Sequence, residues 1–250
     1  NRVYKEGKYT TREAAIIATG FSTVSATFMV VVAKTLDLME HWSLFFWVTL
    51  IVTFLVTAIT ARIYPLNKIK DEYAEGSTPQ PEKIVKKDRL KIAWTEAVEG
   101  AKSNPSLPKN LFIHLKEGFI MAMGVIPSIL SIGLLGLVLA TYTPLFDWIA
   151  YIFAPFTYLL QLPEPMLTAK AVPLSIAEMF LPAMLVTEAA LITKFIVAVV
   201  SISAILFFSA VIPVILSTEI PLSIRQMIII WFERVVLTLI IVTPIAFILF

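Results

Sequence analysis

Cysteine is absent from the 250 residues, which excludes a disulfide framework, a thiolate metal site and a cysteine nucleophile. Histidine occurs twice, as the isolated His41 and His114, which leaves little room for general-base catalysis or an imidazole-rich metal centre. Neither His-Glu-x-x-His, nor Gly-x-Ser-x-Gly, nor the phosphate-cradling Gly-x-x-x-x-Gly-Lys occurs anywhere, so the familiar hydrolase and nucleotide signatures drop out. No enzymatic activity, cofactor or metal is therefore expected. Charge is scarce: 15% of residues, against about a quarter in an average soluble domain. The net charge of +2 gives no strong footprint for phosphates, and nucleic acid is not an expected partner.

What fills the chain instead is apolar: 58% of residues are hydrophobic and the mean hydropathy is +0.85. Such a composition points to a polytopic protein whose solvent is the bilayer. Within 227–250, MIIIWFERVVLTLIIVTPIAFILF, the only charges are Glu233 and Arg234. An ionised group at mid-membrane costs at least about 2.5–3.5 kcal/mol, so it normally faces a bundle interior or wet cavity and marks a solute pathway. The alternative is a helix that starts near Val235, with Arg234 snorkelling to the headgroups. Residues 235–250 alone are short for a span at about 1.5 Å per residue.

Apolar runs divide the chain into five or six membrane segments. Residues 13–33 and 44–63 each fit one pass, joined by the polar turn 34–41. The polar, charged start 1–12 resembles no cleavable leader and leads straight into the first pass, so a processed piece with something upstream is expected. Residues 64–109 carry Lys68, Lys70, Lys83, Lys86, Lys87, Arg89, Lys91 and Lys102, punctuated by Pro79, Pro81, Pro105 and Pro108, an aqueous linker. Its basic residues, with Arg2, Lys5, Lys8 and Arg12, place the N-terminus and linker in the cytoplasm. Acidic residues nearly balance them, and 84–101 has apolar residues at the three-to-four spacing of an amphipathic helix lying on the membrane or the bundle. The domain reading is two helices over 1–63 closing a first repeat, a cytoplasmic linker over 64–114, and a membrane domain over 115–250.

In that last domain, 117–140 contains Pro127 among small residues, and 148–160 is short and contains Pro155. Residues 162–185 hold Pro163, Pro165, Pro173 and Pro182 with Glu164, Lys170 and Glu178, so they cannot form one lipid-facing helix and are expected as a broken element lining a cavity. Glu178 has two available roles, the cavity carboxylate or the third position of a capping box opened by Ser175. A fifth segment, 183–211, bears Glu188 and Lys194. If 162–183 enters and leaves on one side, counting crossings puts the 217–223 loop on the outside, opposite the N-terminus; other topologies stay open. A weak internal repeat matches GKYTTREAAII (7–17) to IPLSIRQMIII (220–230). Thr19, Ser22, Thr23, Ser25 and Thr27 form a polar cluster in the first pass, open to a carbonyl-bonding role or a solute role.

The stretch GVIPSILSIGLLGLVLATYTPLFDWIAYIFAPFTYLLQLPEP (124–165), followed by AVPLSIAEMFLPAML, and GFSTVSATF (20–28) and WFERVV (231–236) near the two ends, resembles the nucleoside-recognition Gate domain and the C-terminal part of YjiH-like inner membrane proteins. The resemblance implies a bacterial cytoplasmic membrane protein related to nucleoside transporters. The resulting expectation is an all-α, polytopic membrane helical bundle with broken or re-entrant helices, half of an inverted-repeat transporter. It would move a small polar, nucleoside-like solute by alternating access, coupled to H+ or Na+. Ser22, Thr23, Ser25, Glu178, Glu188, Lys194, Glu233 and Arg234 are the candidate solute-binding residues. Membrane lipid, the solute, a coupling ion and a second copy or another Gate-domain protein are the expected partners. The rival reading is a non-enzymatic scaffold whose charges clamp helices together; a solute site leaves polar capacity unfilled, whereas a clamp satisfies it.

Overall fold

The computed structural model describes residues 2–21, 24–79, 87–103 and 105–250. Among these every regular element is helical, and two helices are long and apolar enough to cross a membrane, Met39–Thr60 and Ile224–Leu249. After a short helix α1 (Arg2–Lys5), α2 (Thr11–Gly20) opens on a capping box: the Thr10 hydroxyl accepts the Glu13 N–H and the Glu13 carboxylate accepts the Thr10 N–H. The expected single pass over 13–33 is not one helix. α2 stops at Gly20, and α3 (Ala26–Thr35) resumes after Ser25. Of the polar residues expected on that pass, Ser25 stands just before α3 and Thr27 within it, while Ser22 and Thr23 lie outside the described residues.

α4 (Trp42–Thr60) follows a one-turn 3-10 helix and ends at the turn before Tyr64. α5 (Arg89–Ser103) is exposed along nearly its whole length rather than laid on the bundle; residues 84–86 of the expected amphipathic stretch lie outside the described residues. α6 (Leu107–Tyr142) is 36 residues long, with Pro127 inside it. α7 (Leu145–Leu159) packs antiparallel on α8 (Pro165–Ala171), where Lys170 and Asp147 pair at 2.7 Å.

The region 162–185 is broken, as its prolines require: α8 passes into a 3-10 stretch, Val172–Ile176, and then α9 (Leu181–Leu185). Ser175 lies inside the 3-10 stretch and opens no capping box with Glu178; its hydroxyl donates to the Val172 carbonyl at 2.7 Å. The expected fifth segment is broken too. α10 (Leu191–Ser203) ends before Ile205, whose φ of 62° no helix accommodates. The chain then runs irregularly to α11 (Val211–Leu216). The two interruptions satisfy each other, with the N–H groups of Phe208 and Ser209 donating to the carbonyls of Ile176 and Ala177. α12 (Ile224–Leu249) starts on a second capping box, Ser223 with Gln226. It therefore begins ten residues before Arg234, not at Val235, and Arg234 is inside the helix.

Contacts at the two ends fix the directions. At the proximal end, Thr11 donates to the Glu72 carbonyl, Arg12 donates to the carbonyl of Ala61 at the end of α4, and Lys5 pairs with Glu219 just before α12. At the distal end, Lys194 near the start of α10 faces Asp37, and Phe250 at the end of α12 stacks on His41 and Phe195. Thus α2–α3 runs proximal to distal and α4 returns, whereas α10–α11 runs distal to proximal and α12 returns. The same unit, a broken helix followed by a long one, occurs twice in opposite directions. This pairing replaces the weak match of 7–17 to 220–230, which shares a capping box but sets a half-helix against a full one.

It also places the 217–223 loop at the proximal end with residues 4–11, not opposite them. α7, with 15 residues, rises only about 22 Å, less than the roughly 30 Å of a bilayer core. α4, α10 and α12 form the centre of the packing, where residues 195–203 of α10 are all buried and helices from 1–63 and 115–250 share one core.

Candidate functional site

Arg234 is the largest wholly buried side chain among the described residues, 0% exposed. α12 places it between the ends of the two half-helices. Its Nε donates to the carbonyl of Ser203, the last residue of α10, at 2.8 Å. Its Nη1 donates to the Thr57 hydroxyl at 3.0 Å. That hydroxyl lies 3.1 Å from the carbonyl of Gly20, the last residue of α2, and 2.8 Å from the Thr53 carbonyl, and it has one proton to give to either. The last carbonyls of a helix have no partner within it. Here the orphan carbonyl of α10 takes the guanidinium directly, and that of α2 takes it through one hydroxyl.

The approach of α2 to α4 is close because Gly20 has no side chain: a Cβ there would lie 2.6 Å from Thr57 Cγ2. Two more residues of α12 hold the junction. Thr238 shares a 2.8 Å hydrogen bond with the Ser203 hydroxyl. The Trp231 indole N–H donates to Ser175 at 2.9 Å, tying the helix to the other broken segment, and its ring packs edge-on against Phe153 of α7.

No carboxylate lies within ion-pair distance of Arg234 among the described residues, and its Nη2 finds no hydrogen-bond partner. The adjacent Glu233 is half-buried with Oε2 also unpartnered; neighbouring helix positions point about 100° apart, so the two do not pair. Buried hydroxyls on the core helices are likewise unfilled: Thr49 on α4, and Thr193 and Ser201 on α10.

The other expected site residues do not gather here. Ser22 and Thr23 lie outside the described residues. Ser25 stands at the start of α3, exposed and making no cap bond. Glu178 turns its carboxylate onto the Phe180 N–H at 2.7 Å, ordering the entry to α9. Glu188 is exposed on the stretch leading into α10. Lys194, 3.9 Å from Asp37, is about 13 Å along α10 from Ser203 at 1.5 Å per residue.

Thr57, Gly20 and Thr238 are not among the site residues expected from the sequence, and Ser203 enters there only as one of several hydroxyls along the fifth segment. A signal existed for Thr57: Thr49, Thr53, Thr57 and Thr60 put hydroxyls one turn apart on a single buried face of an apolar helix. Away from the junction, an open cavity of about 550 Å³ at the proximal end is lined by Thr11, Lys70, Glu72, Glu219 and Gln226 among others. A second, of about 440 Å³, lies beside the Asp147–Lys170 pair.

No family model matches the chain, and no solved structure matches it. It is 35% identical over 254 residues to an uncharacterized protein of Alkalihalophilus pseudofirmus strain OF4. That alignment covers 99% of this chain and 54% of the other protein, so the chain spans about half the length of that relative.

Proposed function

We propose that the chain forms a multi-pass bundle in a bacterial cytoplasmic membrane, with the N-terminus and linker in the cytoplasm, and transports a small polar solute by alternating access. The observation that carries this reading is the fully buried Arg234, held between two oppositely directed broken helices with Nη2 unfilled and no carboxylate partner. Discontinuous helices meeting near the middle of an inverted pair are how many secondary transporters hold solute and ion. A clamp in a scaffold would satisfy every donor internally, whereas Nη2 is left without a partner. The solute accepts a hydrogen bond from Nη2 through a carbonyl or anionic oxygen, and its own donors meet hydroxyls of α4 and α10. A nucleoside-like solute, suggested by the Gate resemblance, has both kinds of group. With Arg234 wholly enclosed, the conformation described is a closed one.

The test is thermal unfolding of the detergent-purified protein against nucleosides, nucleobases, amino acids and short peptides. Ligand at about 100 times its dissociation constant adds about 2.7 kcal/mol, or about 5–10 °C at this chain length. A shift with one chemical class, lost in Arg234→Gln and retained in Glu188→Gln, is the expected result. A folded protein unmoved by every class would shift the weight to the scaffold reading.

A further inference from the structure

The ends of α2 and α10 reach Arg234 from opposite directions, and both are C-termini. A helix C-terminus carries roughly half a negative elementary charge, so two of them together offer about −1. That balances one monovalent cation and explains why the guanidinium sits buried with no carboxylate beside it. The groups it touches are also the right kind for a metal cation. Ser203 supplies a carbonyl oxygen at 2.8 Å and Thr57 a hydroxyl oxygen at 3.0 Å, with the Gly20 carbonyl next behind the hydroxyl. Oxygen-only sets of this kind suit hard cations, and carbonyls at the broken ends of half-helices are where transporters coordinate a coupling Na+.

We infer that Arg234 is a tethered cation: its guanidinium fills a monovalent-cation position built from α2, α4 and α10, and a free monovalent cation enters that position once the side chain is removed. The position itself follows from the contacts. Its consequence rests on the transport reading: a transporter with this position filled by its own side chain draws no coupling Na+ into the junction, and any ion coupling uses another site.

The wild-type chain, Arg234→Lys and Arg234→Ala are purified in detergent and unfolded thermally in N-methyl-D-glucamine chloride. The measurement is repeated with that salt exchanged at constant ionic strength for NaCl or KCl, and with a low, non-denaturing concentration of guanidinium chloride. The expected result is a saturable rise of about 5–10 °C for Arg234→Ala at about 100 times the cation's dissociation constant, with at least one of the three cations. The wild type and Arg234→Lys, each carrying its own charge, stay unmoved. Three outcomes overturn the inference: Arg234→Ala folded and indifferent to all three cations; the wild type responding as strongly as Arg234→Ala; or Arg234→Ala failing to fold in every cation while Arg234→Lys folds. None of these measurements needs a solute. An empty solute screen therefore leaves a positive cation result standing, and an indifferent Arg234→Ala leaves the solute site open.

Discussion

Gly20→Ala adds one methyl group at the tightest helix contact in the junction. The new Cβ would stand 2.6 Å from Thr57 Cγ2, about an ångström inside the optimal carbon–carbon separation. Thr57 cannot simply turn away. Rotation about χ1 would carry its hydroxyl off both Arg234 Nη1 and the Gly20 carbonyl. Overpacking of this kind costs about 1–3 kcal/mol, while replacing glycine by alanine at a helical position returns up to about 1 kcal/mol. The net expectation is a loss of about 1–2 kcal/mol, seen as about 2–8 °C in the unfolding temperature. Thr57→Ser removes the offending methyl and keeps the hydroxyl, at about 1 kcal/mol for the buried carbon lost. Combined with Gly20→Ala it relieves the clash, so the double-mutant cycle shows a favourable coupling of about 1–2 kcal/mol. Thermal unfolding of the four proteins in one detergent measures it. A Gly20→Ala protein as stable as wild type, or strictly additive effects, would refute the close packing of α2 on α4 and with it the route from Gly20 to Arg234.

The remaining expectations concern the rest of the junction and its periphery. Ser203→Ala leaves the buried Thr238 hydroxyl without its 2.8 Å partner and lowers stability by about 1–3 kcal/mol; adding Thr238→Val, which removes the orphan, recovers most of that in the same unfolding assay. Trp231→Phe loses the indole bond to Ser175 and costs about 1–2 kcal/mol, whereas in a Ser175→Ala background, read by the same melts, it costs measurably less. Glu219→Gln breaks an exposed ion pair with Lys5 and changes stability by less than about 1 kcal/mol, an effect that shrinks further as salt is raised.

Much of the architecture was legible because apolar runs, prolines and buried charge each leave a mark of their own. The prolines and charges of 162–185 require a broken element, and Glu233–Arg234 inside an apolar run mark the helix that carries the buried guanidinium. The breaks at 21–25 and 204–210 left weaker marks. FSTVS is short and contains no proline, and AILFFSA reads as an apolar helix in any window. What accompanies them is tertiary: Gly20 pressed on Thr57 where α2 ends, and the Phe208 and Ser209 N–H groups drawn to the carbonyls of another segment. Charge alone proved a poor guide to the site. Glu188 is exposed on the stretch leading into α10 and Lys194 faces Asp37 at the distal end, both away from Arg234. The residues that touch Arg234 are a backbone carbonyl and a threonine, and a carbonyl has no signature in sequence. The inverted pairing was hidden for the same reason, since the two units share geometry around the junction rather than residues.

That pairing constrains which charges the junction can hold. Because the two half-helices enter from opposite ends, α4 faces the end of α2 much as α12 faces the end of α10. Strict equivalence would ask for a cation on both long helices. Both cations would then be crowded into the same junction, where Nη1 already lies 3.0 Å from the Thr57 hydroxyl. At 4 Å their repulsion is about 4 kcal/mol at an effective dielectric constant of 20, and a second charge would exceed the roughly one unit that two helix ends can balance. One of the two positions must therefore be neutral, yet still able to donate to its own half-helix. A threonine meets both conditions: its hydroxyl accepts from the single guanidinium and has a proton to pass to Gly20 or Thr53. The asymmetry between Thr57 and Arg234 is then what a near-symmetric scaffold requires to serve two negative helix ends with one positive charge.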